Sequence, residues 1–461
     1  MPSLLHPLLK RWPTDAFSRC LLLYVLLLPF VRIALLPLVQ AKIQPTELVF
    51  LLLLPLGWLR YGSQLLPQSH WLNVALLTYF LANLSSALFA WDIHALLEAI
   101  GRGYLVLLAL LVSAFVKETG RGSLDQLLQV FLYGTVVLVA ITYLGYLAAV
   151  LGYDNSMVQV YAQYPYLGTV MRAKGFTGGA GMLIIVLLLP TIYAWRKWRE
   201  GVASAWWFVF LFPVAGLTFS KEVLLLGLGL ALVDPWFRRR GRGVQALLVG
   251  TVAVTFWLGT HFIVQERQAV ADSSLAGTEY ISERLLWQGS HYQILETSYS
   301  ALKKASLAVA IKHPIIGVGP GQFGRFLPAE KQAGTYPEHL PNYDPHSTWL
   351  GALAETGIIG FFSLLWLSWL FYQRFAGLGY QANSAKHVTV SSPAAGGSER
   401  VREKTSSNGA ILSCLVFLLL ILILSVSKDV ANFRFIWLII GGLLGVWEKK
   451  RLPLSQTTDH G

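Results

Sequence analysis

The sequence has few charged residues and almost no cysteine. Only 13% of its 461 residues are Asp, Glu, Lys or Arg, and 55% are hydrophobic. Soluble globular chains carry about 25% charged residues, so this composition excludes a soluble fold. The two cysteines, Cys20 and Cys414, both lie in apolar runs. We expect them to be packing residues, not a disulfide or a metal-binding pair.

Motifs for metal, nucleotide and hydrolytic chemistry are also missing. The sequence has no His-Glu-x-x-His, no Cys-x-x-Cys and no serine-hydrolase elbow, and no Gly-Lys-Ser/Thr follows its glycine-rich segment. Asp92 and Glu98 lie near one predicted loop, but two carboxylates do not make a cation site. We therefore predict no metal site.

Long apolar runs are what the sequence does contain. Runs of about 18 or more mostly apolar residues recur from end to end, and each is long enough to cross the hydrocarbon core of a membrane. Continuous runs such as "LLLYVLLLPF" lack the alternation of a membrane β-barrel. The sequence predicts an all-α polytopic membrane protein with about 12 transmembrane helices. Their expected limits are 20–40, 46–60, 71–90, 95–116, 126–151, 176–195, 203–219, 221–237, 244–263, 348–372, 410–427 and 433–448.

The formal net charge of +12 is concentrated in alternate loops. Basic segments include "WRKWREG" (195–201) and "FRRRGRG" (237–243), whereas "TFSKE" (218–222) and "SVSKDVANFR" (425–434) fall on the other side. The positive-inside rule then predicts that both termini are cytoplasmic. Because the charge forms no single basic stripe, we expect no nucleic-acid partner.

The order of spans divides the chain into five parts. We predict spans 1–9 over 1–263, a large external helical loop over 264–347, span 10 over 348–372, a disordered cytoplasmic linker over 373–409, and spans 11–12 with a C-terminal tail over 410–461. Within the external loop, apolar residues at helical spacing over 280–312 predict amphipathic helices near the membrane surface.

Four basic or titratable residues, far apart in sequence, are expected at one depth near the external face. They are Arg172, Lys221, Arg284 and His346. Ionisable residues at this depth are candidates for function. The alternative is that the cations only extend to the lipid headgroups and that His346 only caps a helix. The glycines of "GVGPGQFG" (317–324) could form an anion-binding backbone turn or an ordinary turn.

The segment "KHPIIGVGPGQFGRF", a proline-rich gap and "HSTWLGALAETGIIGFF" together resemble the signature of the bacterial O-antigen ligase and O-antigen polymerase family. The match is centred on 312–362. The resemblance implies a GT-C-like membrane glycosyltransferase that works without metal or other cofactor. It would take a glycan from undecaprenyl pyrophosphate at the periplasmic face of the bacterial inner membrane and transfer it to lipid A–core or another glycan acceptor.

The resemblance also assigns roles to residues. His346 would be the catalytic base, and Arg172, Lys221 and Arg284 would bind the pyrophosphate, while Gly317, Gly319 and Gly321 would let the loop backbone approach the substrate. Two residues depart from the family pattern. Lys221 stands where arginine is usual and lacks its planar fork, and Ser347 stands where asparagine is usual. The spacing from Arg284 to His313 is also longer than typical.

Three alternatives to a ligase remain open on the sequence. A polymerase of the same family would transfer the chain to another lipid-linked unit, and the shared motifs do not separate it from a ligase. A protein-glycosylating member usually carries further C-terminal sequence. A transporter of lipid-linked glycan would predict charges deep within several spans and internal repeat symmetry. The central parts of the predicted spans are largely uncharged, with Arg32 an exception, and we see no internal repeat.

Overall fold

The computed structural model describes residues 15–31, 44–164, 168–202, 204–266, 281–384 and 398–449. These residues form fifteen α-helices and five β-strands. In chain order they are α1 (Ala16–Leu27), α2 (Pro45–Tyr61), α3 (His70–Ala90), α4 (Ile93–Thr119), α5 (Arg121–Val150), β1 (Val158–Tyr164), β2 (Gly168–Ala173), α6 (Ala180–Arg199), α7 (Trp206–Leu217), α8 (Val223–Val233), α9 (Pro235–Arg238), α10 (Arg242–His261), β3 (Phe262–Glu266), β4 (Ile281–Gln288), β5 (Tyr292–Thr297), α11 (Ser298–Lys312), α12 (Phe323–Gln332), α13 (Thr348–Ser384), α14 (Ser398–Ser425) and α15 (Arg434–Lys449).

Eight of the described helices are long and apolar enough to cross a membrane. They are α2, α3, α4, α5, α6, α10, α13 and α14. The helices α1, α7 and α8 are apolar but shorter. This architecture is consistent with the predicted polytopic membrane protein. The count of twelve spans stays a prediction, and the first predicted span, 20–40, is described only as far as residue 31.

The helices approach one another closely where glycine replaces larger side chains. A Cβ atom on Gly441 of α15 would lie 2.3 Å from the carbonyl oxygen of Ala109 in α4. One turn further, a Cβ on Gly445 would lie 2.5 Å from the carbonyl oxygen of Ser113. Small residues let membrane helices pack backbone to backbone, which replaces the missing hydrophobic driving force in lipid. The two glycines therefore hold α15 against α4 in the buried core.

The basic segments lie together at one end of the helices. Lys117 Nζ is 3.2 Å from Glu448 Oε2, and Lys449 Nζ donates to the carbonyl oxygen of Glu118 at 3.0 Å. Lys197 pairs with the carboxylate of Asp125 at 2.8 Å. The three segments 117–123, 195–201 and 447–449 are thus neighbours, as alternating spans require. The positive-inside rule predicts that this end is cytoplasmic.

The segment after α10 contains strands where the sequence predicts helix. The strands β3, β5 and β4 form an antiparallel sheet in that order, with Val264 opposite Ile294 and Leu285 opposite Leu295. The prediction of helix over 281–297 is therefore wrong, and helix begins at Ser298. A short apolar run is compatible with either a helix or a strand. Here backbone pairing with a strand on each side makes β5 a strand.

The predicted cytoplasmic linker is helical at both ends. Helix α13 continues to Ser384, and α14 begins at Ser398. Prediction of disorder for 373–384 and 398–409 is therefore wrong. Residues 385–397, in the middle of that linker, lie outside the described part of the chain. The polar composition of this segment predicted a linker, but helices α13 and α14 extend well past the apolar residues of their spans.

Helix α13 is interrupted at Gly357, whose φ of 62° is not helical. A Cβ there would lie 2.2 Å from the carbonyl oxygen of Ile315. The amide of the next residue, Ile358, donates to the carbonyl oxygen of Pro314 at 2.8 Å. The segment after α11 therefore enters the break in α13, and only glycine leaves room for it.

Candidate functional site

The β1–β2 hairpin carries Arg172 to the end of the helices opposite the basic segments. In the hairpin Arg172 lies opposite Gln159. Its Nε donates to the carbonyl oxygen of Thr218 at 2.8 Å, and its guanidinium lies 5.6 Å from the ring centroid of Tyr161. The backbone bond and the aromatic contact orient the side chain beside the loop that carries Lys221.

Lys221 lies in the short loop between α7 and α8. Its Nζ is 3.3 Å from the carbonyl oxygen of Gly259 and 4.6 Å from the ring centroid of Tyr299. Burial lowers the pKa of Lys221 to about 8, and the charges of Lys428 and Arg172 act in the same direction against Glu222. A lysine in these surroundings stays protonated at neutral pH. Because its charge is poorly hydrated, it favours an anionic ligand.

His346 lies immediately before α13, at the same end of the molecule. Its ring centroid is 4.7 Å from that of Tyr299 and 5.9 Å from that of Tyr343. Burial lowers the pKa of His346 to about 4, and the positive charges of Lys428, Lys221 and Lys303 add to that effect. The imidazole is therefore neutral at physiological pH and can accept a proton.

The structure brings three of the predicted residues together. Arg172 contacts Thr218, three residues before Lys221, and both Lys221 and His346 contact Tyr299. For the fourth, Arg284, the structure gives only its place in β4. Its assignment as a pyrophosphate ligand therefore stays a prediction.

Four further residues of this cluster were missed by the sequence analysis. They are Glu222, Tyr299, Lys303 and Lys428. Lys428 Nζ is 2.7 Å from Glu222 Oε1, and Lys303 Nζ is 2.6 Å from Nε2 of His261. Lys428 had a signal, because "SVSKDVANFR" lies in the same set of loops as "TFSKE" and places a cation at the end of a span. We call Arg172, Lys221, Lys303 and Lys428 the cation cluster.

The glycine-rich turn packs closely against neighbouring helices. The amide of Gly319 donates to the carbonyl oxygen of Glu355 at 2.8 Å. Cβ atoms on Gly317, Gly319 and Gly321 would meet Glu355, Ala90 and Glu98, respectively, within 2.3–2.8 Å. This packing is one reason for the three glycines, and their role beside the substrate stays a prediction.

The importance of this packing can be measured with a matched pair of glycines. Gly317 and Gly334 have similar φ angles of 76° and 71°, but a Cβ on Gly334 would meet nothing within 4 Å. We expect Gly317→Ala to lower the free energy of unfolding by about 1–3 kcal/mol more than Gly334→Ala, the usual cost of overpacking. Unfolding in mixed detergent micelles would measure both. Equal losses would contradict the close packing of the turn on α13.

An apolar groove of about 640 Å³ lies elsewhere, between α2, α3 and α4. Its lining includes Leu51, Leu77, Phe80, Ile100 and Leu107. No residue of the cation cluster lines it. We therefore assign the groove no chemistry.

These features define a multi-pass helical membrane protein with cations gathered around a neutral histidine at one end of its helices. Residues 207–365 match the family model for O-Antigen ligase, which supports an assignment to the O-antigen ligase and polymerase family. The resemblance seen over 312–362 is thereby confirmed. The matched residues include Lys221 and His346 but not Arg172 or Lys428. No curated protein matches the chain.

Proposed function

We propose that this protein transfers a glycan from undecaprenyl pyrophosphate to a sugar hydroxyl at the periplasmic face of the inner membrane, as an O-antigen ligase. The family match over 207–365 supports glycan transfer of the ligase or polymerase type in general. The observation that carries the specific proposal is the meeting of Arg172, Lys221 and His346 at one end of the bundle. A pyrophosphate leaving group and a hydroxyl nucleophile need cations and a base in one place.

In the proposed reaction the acceptor hydroxyl oxygen attacks the anomeric carbon of the donor sugar. The bond from that carbon to the pyrophosphate oxygen breaks, and the electron pair leaves with the pyrophosphate. His346 takes the hydroxyl proton as general base. Arg172 and Lys221 stabilise the charge that grows on the leaving oxygen, a role in which fixed cations are effective because they need no reorganisation.

A reconstituted transfer assay tests this proposal. Purified protein would be mixed with undecaprenyl-pyrophosphate-linked glycan, with and without lipid A–core, and the products separated on a gel. Transfer that requires lipid A–core would support a ligase. A ladder of longer lipid-linked chains without that acceptor would replace it with the polymerase. Absence of both products from folded protein supplied with its own glycan would reject glycan transfer by this site.

Neutralising Lys221 should weaken the handling of the pyrophosphate. Hydrogen bonds to charged groups contribute about 1.5–3 kcal/mol, so we expect Lys221→Gln to lower kcat/KM for the donor by about 10–100-fold. Lys221→Arg should retain transfer, because guanidinium binds phosphate in two places. The initial rate at several donor concentrations would measure this effect.

Lys304→Gln provides the matched control for Lys221→Gln. Lys304 lies on α11 beside Lys303, is about half exposed and pairs with Glu296 at 2.6 Å. The same chemical change there should leave transfer close to that of the unmodified protein. If both variants lost activity equally, Lys221 would have no special part in donor binding.

A further inference from the structure

The segment between α14 and α15 is hydrogen-bonded to Thr348, which follows His346 and Ser347. The amide of Thr348 donates to the carbonyl oxygen of Lys428 at 3.2 Å, and the amide of Val430 donates to Thr348 Oγ1 at 2.9 Å. Thr348 Oγ1 also lies 3.1 Å from the carbonyl oxygen of Lys428. Two segments that are about 80 residues apart in sequence are thus joined at the first turn of α13. The position of His346 depends on this joint.

The side chain of Lys428 is fixed by a buried ion pair. Its Nζ is 2.7 Å from Glu222 Oε1, and the two side chains are 17% and 2% exposed. Ser220 Oγ also donates to Glu222. A Cβ on Gly181, at the start of α6, would lie 2.7 Å from Lys428 Nζ. Because α6 covers the pair so closely, Lys428 has little room to move away from the site.

Charged and titratable groups surround His346 from four segments of the chain. They are Lys221 before α8, Tyr299 and Lys303 on α11, Tyr343 on the loop of His346 itself, and Lys428 before α15. Asp344 lies two residues before His346 in the chain, and Glu222 pairs with Lys428. Of the charges that lower the pKa of His346, Lys428 has the largest effect after burial. Although burial opposes it, Glu222 raises the pKa of Lys428 above its ordinary value, so this lysine stays charged.

We propose that Lys428, paired with Glu222, is a positioning residue for His346: its backbone joins the start of α13 to the loop before α15, and its fixed side chain holds a positive charge near the imidazole. This inference deepens the proposed function and rests on it for the catalytic role of His346. Lys428 lies outside the residues that match the family model, so the match does not assign it a role.

The inference predicts how the protonation of His346 responds to changes at Lys428. Diethyl pyrocarbonate modifies imidazole only in its neutral form. Mass spectrometry of the His346 peptide as a function of pH therefore gives the midpoint of its protonation without any turnover. In the unmodified protein we expect a midpoint near pH 4, below the ordinary value of about 6.5. Lys428→Met should raise it by about one pH unit, which is about a tenfold change in proton affinity. Lys428→Arg should leave it unchanged.

Glu222→Gln should move the midpoint in the opposite direction. Removal of the carboxylate leaves the lysine charge uncompensated, so His346 should bind a proton still less readily. Exposed His291, in the turn between β4 and β5, serves as the internal control for the extent of labelling in every variant. The Glu222→Gln result also stands by itself if Lys428→Met does not fold.

Two results would overturn the inference. One is an unchanged His346 midpoint in folded Lys428→Met, and the other is an upward shift in Glu222→Gln. The acid limb of the transfer rate should follow the labelling midpoint in each variant. If labelling shifts as expected but His346→Ala still transfers glycan, the charge coupling stands and the catalytic role of His346 in the proposed function fails. The two failures are therefore distinguishable.

Discussion

Replacement of His346 by alanine is expected to reduce glycan transfer by about 10²–10⁴-fold, the usual contribution of a positioned general base. The ring is half-buried between Tyr299 and Tyr343, and its pKa of about 4 leaves it neutral at physiological pH. Its proton affinity would rise when an anionic pyrophosphate offsets the surrounding lysines. Single-turnover transfer at saturating donor concentration would measure the chemical step.

The matched control for His346→Ala is His291→Ala. His291 is exposed in the turn between β4 and β5, and its loss should leave transfer unchanged. Both variants should insert into membranes and melt at the same temperature as the unmodified protein. Donor binding by His346→Ala should persist, because Arg172 and Lys221 are retained. Transfer within tenfold of normal would show that another group takes the proton. A defect in lipid translocation with no chemistry would favour a transporter.

Much of the fold can be predicted from hydropathy, because the bilayer imposes one rule on every span. Backbone groups in lipid must be hydrogen-bonded within their own segment, so an apolar run of sufficient length forms a helix. No such rule acts outside the membrane. There β5 pairs with β3 across a long stretch of sequence, and the apolar residues Leu285, Leu286 and Ile294 are equally compatible with a helix. Tertiary pairing, not local pattern, decides that region.

The residues of the candidate site also differ in whether the sequence could predict them. Arg172, Lys221 and His346 could be predicted because each stands at the end of a span or beside one, where charge in an apolar chain is conspicuous. Lys303 and Tyr299 could not, because they lie on α11, whose place beside the membrane ends depends on the fold. Arg102 was also missed, although it lies within the predicted span 95–116. Its partner is 253 residues away, and no sequence spacing relates the two.

Replacement of Arg102 is expected to destabilise the protein more than any of the single substitutions proposed above. Its Nη2 is 2.8 Å from Glu355 Oε2, and the two side chains are 10% and 6% exposed. Arg102 Nη1 also donates to Asn83, which joins α3, α4 and α13. Breaking a buried pair leaves an uncompensated charge, so Arg102→Met should lower the free energy of unfolding by about 3–5 kcal/mol. Unfolding in mixed detergent micelles would measure the loss.

The double variant Arg102→Met/Glu355→Leu separates charge from packing. Apolar replacement of both partners removes the stranded carboxylate, so most of the lost stability should return. Arg325→Met is the matched control, since Arg325 pairs with Asp92 but is 56% exposed; an exposed pair contributes about 0–1 kcal/mol. If Arg102→Met cost no more than Arg325→Met, the buried pair would not be holding α13 to α4. If the double variant regained stability but not transfer, the pair would serve the geometry of the site as well as the fold.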